Sequence, residues 1–208
     1  MVLLVVGREK IEISVHENVL FEASPVFKTA FTSGFRESSE RSIYLPDDSV
    51  TLMDTLVQSL YAPESRLNRR YTIMDLIHLY VLADKYDIVK VKNRICQHLL
   101  VRLDCGPLFS AGGKEYTGCP QKSAVKFVYE NTTSKTPMRR LLVDWFVWAV
   151  DLAWFSNEEN RSWLLSVPEF AVDLCSVLAK DFNKKPKGGP FMNRRSAYME
   201  KEPVGDKS

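Results

Sequence analysis

The chain has 208 residues, 45% of them hydrophobic and 26% charged, enough for one or two small globular domains with a real core. Its formal net charge of +2 gives no reason to expect direct nucleic-acid or membrane binding. Residues 183–208 hold seven Lys or Arg against three acids, a formal +4, so a mildly acidic body at −2 carries a basic tail.

Met1–Val6 reads as a short, wholly apolar strand. Gly7-Arg8-Glu9 is a turn, and Lys10–Val15 alternates, with Ile11, Ile13 and Val15 on one face, so the pair predicts a hairpin. Arg8 and Glu9 interrupt the apolar start before a signal peptide could be complete. No apolar run approaches the ~18 residues of a membrane span, so a cytoplasmic or nuclear protein is expected. Glu17–Glu22 suits a short helix. Ser24 caps a second that opens with Pro25 and turns Val26, Phe27, Ala30 and Phe31 inward. Ser42–Leu45 is a third strand.

Three stronger helices follow. The first, Ser49–Tyr61, has Leu52, Met53, Leu56, Val57 and Leu60 at helical spacing. The second starts on the capping-box-like Thr72-Ile73-Met74-Asp75. The third carries Ile88, Val91, Ile95 and Leu99. Strands followed by a helical cluster predict an α+β domain with a small three-stranded sheet.

Two motifs in this half carry a family resemblance. The first is His16, Leu20, Ser24-Pro25-Val26-Phe27, then Gly34-Phe35-Arg36-Glu37-Ser38. The second is Leu82-Ala83-Asp84-Lys85-Tyr86, with Lys92 and Asn93 beyond it. In this order and separation they resemble the BTB/POZ domain over about residues 2–103. The resemblance implies a BTB/POZ fold, a protein-binding role without chemistry, and structural parts for His16, Leu20, Ser24, Pro25, Phe27 and Ala83. Some members of that family recruit a cullin ubiquitin-ligase scaffold through an apolar-x-Glu element in the loop where Phe35-Arg36-Glu37 stands. The resemblance thus implies a partner surface of Phe35, Arg36 and Glu37, joined by Asp84 and Tyr86. An alternative stays open, in which Phe35 covers the domain's own core and Glu37 is solvated.

The chain departs from the family in two places. Its first strand lacks an acid, and Glu17 stands where a base follows the strand-ending His. It also starts after the extra helix and strand that many dimeric members exchange. Both departures count against the exchanged homodimer and leave a smaller one open.

Residues 104–120 are rich in Gly and Pro and read as a linker. A helix is expected at Lys122–Glu130, a long one from Pro137 to Phe155 capped by Thr136, and a last one over Pro168–Phe182. The long helix buries Leu141, Leu142, Trp145 and Phe146, which leaves Trp148 off its apolar face. The run Val128–Thr132, then Arg139–Asp144, resembles the C-terminal half of BTB proteins common in filamentous fungi. An α-helical extension at 121–182 and a disordered basic tail at 183–208 complete the expected organisation. Lys184-Lys185-Pro186-Lys187 with Arg194-Arg195 fits either a nuclear import signal or a solvated tail.

Nothing points to catalysis. His16, His78 and His98 have no ligand or nucleophile at useful spacing. Cys96, Cys105, Cys119 and Cys175 lack the short paired spacing of a zinc site and read as reduced thiols. Gly112-Gly113-Lys114 lacks the preceding Gly and following Ser or Thr of a phosphate loop. No catalytic, cofactor or metal residue is therefore expected. The expected function is protein–protein interaction, as a substrate adaptor for a cullin-RING ubiquitin ligase. The alternative is a self-associating scaffold or transcription-related protein without a ligase role.

Overall fold

The structure is a computed structural model that describes residues 1–62, 71–104, 121–149, 152–181 and 192–202. The chain forms two compact units, one of residues 1–95 with the segment from Glu200, the other of residues 96–199. The linker expected at 104–120 lies outside the described residues from 105 onward, with its two cysteines, as does the basic cluster at 184–187, and Asp104 ends a helix.

The first unit is built on a three-stranded sheet of order β2-β1-β3, with β1 at Val2–Val6, β2 at Ile11–Val15 and β3 at Ser42–Leu45. β1 is antiparallel to β2, with Val2 opposite Val15, and parallel to β3, with Val6 opposite Leu45. Its alternate residues Val2, Leu4 and Val6 are fully buried, whereas Leu3 and Val5 on the other face are only partly covered. That is the period of two of a strand covered on one face. Gly7 makes the hairpin possible at φ +73°, where a Cβ would also come within 3.3 Å of Val50.

The alternation in β2 does not translate into a buried face. Only Val15 is buried, and Ile11 is 43% exposed. β2 is an edge strand, and Ile11 sits at its hairpin end. A period of two assigns side chains to faces, but coverage depends on what packs there.

Between β2 and β3 lie α1 (Glu17–Ala23), α2 (Pro25–Thr32) and the short α3 (Arg36–Glu40). Their length supplies the crossover that a parallel pair requires. Three longer helices complete the unit: α4 (Val50–Tyr61), α5 (Ile73–Lys85) and the start of α6 (Val89–Asp104). Their inward residues Met53, Leu56, Leu76, Ile77 and Ile95, with Ile88 just before α6, form one core with Leu20, Phe27 and Phe31, and all are at most 1% exposed. Each such side chain contributes about 1.5–3 kcal/mol on leaving water. Val26 and Ala30 depart from the predicted inward set: Val26 is 43% exposed and Ala30 only partly buried, on the outer side of α2.

The second unit holds α7 (Lys122–Asn131), α8 (Pro137–Ala149), α9 (Leu152–Ser156), α10 (Glu158–Leu165) and α11 (Pro168–Asp181). The helix expected from Pro137 to Phe155 is described as α8 and α9, on either side of residues 150 and 151, which lie outside the described set. The rings of Phe146 and Trp154 meet at 4.8 Å. Phe170 packs on Phe146 at 5.2 Å and on Trp163 at 5.7 Å, which joins α8, α9, α10 and α11 in one aromatic cluster.

A buried arginine ties the other end of this unit. Arg139 donates to the carbonyls of Tyr129 and Thr132 and to the Thr132 hydroxyl, pairs with Glu169, and lies 4.4 Å from the Tyr129 ring centre. The expected disorder of the tail does not hold at residues 192–202. Met192–Tyr198 is a 3-10 helix, and the fully buried Tyr198 donates its hydroxyl to Asp144 at 2.7 Å. One large aromatic with a satisfied hydroxyl orders a segment whose composition is otherwise that of a coil.

A candidate partner-binding groove

Gly34 shapes this site. Its φ of +79° lies in the left-handed region, with open space around it. That conformation follows the end of α2 at Ser33 and turns the chain outward before α3 begins. Phe35, extended at φ −75° and ψ −177°, is the residue that precedes α3. Its side chain is 72% exposed, so it does not cover the domain's own core.

Beside it runs an open groove of about 610 Å³, lined by Pro25, Val26, Thr29, Ala30, Ser33, Phe35 and Glu37. One wall is the outer face of α2, at positions three and four apart. Phe35 and the half-exposed Val26 supply its apolar surface. Glu37 is partly buried in the first turn of α3, where a carboxylate faces the positive end of the helix. Arg36 points into solvent and pairs with Glu40 at 2.6 Å. The chemistry on offer is an apolar surface with one acid beside it, which suits docking of a protein surface.

The remaining predicted partner residues lie elsewhere. Asp84 is 19% exposed and pairs with Lys92 at 3.1 Å. Tyr86 departs from the expected role, because it is buried at 4% exposure. Its ring stacks on Phe27 at 4.4 Å, its carbonyl accepts from the Ser24 hydroxyl at 2.6 Å, and its hydroxyl donates to Asp48. Burial, then the neighbouring Asp48 carboxylate, holds its phenol well above the usual tyrosine range. Asp48 also pairs with Lys85 at 2.7 Å. The tyrosine of the Ala-Asp-Lys-Tyr motif thus fixes α5 to α2.

The signature residues are placed around this frame. The Tyr61 hydroxyl, at the end of α4, accepts from the His16 backbone N–H and lies 2.8 Å from its Nδ1. His16 therefore joins the end of β2 to α4, on the surface. Leu20, Phe27 and Ala83 are buried. Ser24 is buried too, and its Oγ both caps α2, accepting from the Phe27 N–H, and donates to Tyr86. Pro25 opens α2. Glu17, in the position where a base was expected, pairs with Arg41.

The outer stripe of α2 escaped the sequence reading. Its signal is present in Val26, Thr29, Ala30 and Ser33 at helical spacing, but the apolar pattern places Val26 and Ala30 in the core. Among the described residues no group of three or more His, Cys, Asp or Glu is placed to hold a metal ion. No single described helix is long and apolar enough to cross a membrane; α10 and α11 together would be, but they are bent by 108°.

A small sheet backed by helices, with an apolar groove on its surface, is the form of a protein-interaction domain. Residues 2–103 match the BTB/POZ domain family, and this half of the chain is a BTB/POZ domain. A BTB/POZ domain-containing protein of Arabidopsis thaliana is 34% identical over 88 residues, 41% of this chain and 11% of that protein. Kelch-like ECH-associated protein 1A of Danio rerio is 30% identical over 105 residues, 50% of this chain and 17% of the relative. Kelch repeat and BTB domain-containing protein 8 of Homo sapiens matches at 22% over 172 residues, 71% of this chain and 28% of the relative. The chain thus spans under a third of the length of each of these relatives.

Proposed function

We propose that this protein is a non-enzymatic substrate adaptor for a cullin-RING ubiquitin ligase, and that its BTB/POZ domain meets the cullin scaffold through Phe35 and Glu37. The observation that carries the reading is the exposed Phe35 ring beside Val26 and Glu37. A large aromatic left in water at a groove, with an acid fixing register, has the composition of an interface hot spot. Tyr86 supports the surface from below and makes no direct contact.

The test is calorimetric titration of the full chain with the N-terminal domain of the BTB-binding cullin, with Phe35→Ala and Glu37→Lys as variants. Both positions are surface residues, so the variants keep the fold, which circular dichroism checks. Micromolar or tighter binding is expected, and Phe35→Ala should cost about 2 kcal/mol or more, roughly thirtyfold in affinity. Absent binding, or binding indifferent to both changes, overturns the adaptor reading. Concentration-dependent dimerisation measured by light scattering would then favour the self-associating scaffold.

A further inference from the structure

A second groove lies wholly within the helical unit, where α8, α11 and the 3-10 segment surround an open volume of about 660 Å³. Three cations line it: Lys135 just before α8, Arg140 in its first turn, and Lys180 in the last turn of α11. All three are exposed, and none makes an ion pair or hydrogen bond with a described residue.

The other charges of this groove are committed. Arg139 is spent on Glu169 and on the carbonyls of Tyr129 and Thr132. Asp144 accepts the hydroxyl of Tyr198, and Asp173 accepts that of Tyr129, each at 2.7 Å. Asp144 and Asp173 keep their negative charges while accepting those hydroxyls, so the lining sets four cations, Lys135, Arg139, Arg140 and Lys180, against two carboxylates, and the groove is positive on balance. Between them the floor is apolar, from Val143, Val177 and Ala197.

We propose that this groove binds an acidic peptide segment of a partner protein. Its carboxylates would meet Lys135, Arg140 and Lys180, and an apolar side chain between them would rest on Val143 and Val177. The open form favours a peptide over a small anion. At a solvated surface each charge pair is weak and screened, so affinity comes from several contacts held on one chain. The groove belongs to a different unit from the Phe35 site, so either assignment can fail without the other.

The test is fluorescence anisotropy of the full chain with a labelled octapeptide of alternating Glu and Leu, compared with its Gln and Leu counterpart. The Glu peptide should bind and the Gln peptide should not. The pair Arg140→Glu with Lys180→Glu should weaken binding by about tenfold or more. Lys184→Glu with Lys185→Glu, in the basic tail, should leave it within about twofold. No binding of the Glu peptide, or an equal loss from the tail pair, overturns the proposal. Displacement of the peptide by millimolar inorganic phosphate at constant ionic strength would also overturn it, in favour of a phosphate site.

Discussion

One buried hydroxyl ties three parts of the BTB/POZ domain together. Ser24 ends α1, caps α2 through the Phe27 N–H at 3.1 Å, and donates to the Tyr86 carbonyl at 2.6 Å. The local half of this role is legible in the sequence, because Ser-Pro before an apolar helix is a capping signal. The bond to Tyr86, 62 residues away, is not. Replacing Ser24 by Ala removes the cap and strips a buried carbonyl of its donor. Ser24→Ala should therefore cost about 2 kcal/mol, seen as a lower urea midpoint with an unchanged slope. A loss below ~0.5 kcal/mol would show that water or another group replaces the hydroxyl. Tyr86 carries the same lesson. Its place in the motif suggested a surface role, while its stacking on Phe27 uses it as core.

Helix starts were legible where a cap stands beside an apolar stripe. At the start of α5 the Thr72 hydroxyl accepts from the Asp75 N–H at 3.1 Å, and the Asp75 carboxylate accepts from the Thr72 N–H at 2.8 Å. The Thr72 hydroxyl, and then its N–H, hold the Asp75 carboxyl below its usual 3.8. A depressed acid stabilises the fold above its unfolded value, and that contribution is lost as pH falls through the folded one. Thr72→Ala should cost about 1 kcal/mol at pH 7, and the gap to the parent protein should narrow below pH 3.8. Urea midpoints measured across that range check both parts, and a gap that stays constant refutes the capping-box account. By contrast, α10 was missed although its signal was local: Asn157 caps it, accepting from the Asn160 N–H at 3.1 Å, before Glu158 and Glu159. The apolar stripe from Pro137 onward gives no sign that the Phe146 and Trp154 rings meet at 4.8 Å, because a 3.6-residue period carries no tertiary contact.

Across the whole molecule, charge is gathered where the chain returns on itself. Lys92 is 4% exposed and faces Glu200 at 2.7 Å, Asp84 at 3.1 Å and Asp87 at 3.4 Å. Asn93 beside it donates to the Glu200 carbonyl and accepts its N–H, across 107 residues of sequence. Burial alone would push the Lys92 ammonium down, but Glu200 and Asp84 outweigh it and raise the group above 10.5. A raised lysine stabilises the fold fully below its unfolded value, and the contribution fades as pH rises through the folded one. Glu200→Gln should cost about 1 kcal/mol at pH 7, since Asp84 remains to hold the charge. The difference should shrink above pH 10.5 as Lys92 deprotonates. Thermal unfolding of both forms at neutral and alkaline pH tests this, and an unaltered midpoint at pH 7 would show that the Lys92–Glu200 ion pair adds nothing to the fold.

By itself the sequence determined the strands of the sheet, the caps at Ser24 and Thr72, the BTB/POZ motifs and the absence of an apolar span. Each is a local pattern of a few to some twenty residues, set by backbone geometry and side-chain period. Only the tertiary structure decided that Phe35 and Val26 face water, that Tyr86 does not, that Ile11 lies at an uncovered edge, and that Tyr198 and Glu200 order part of a basic tail. A periodic pattern names the two faces of an element. Which face is covered depends on residues far away in the chain, and no local pattern carries that information.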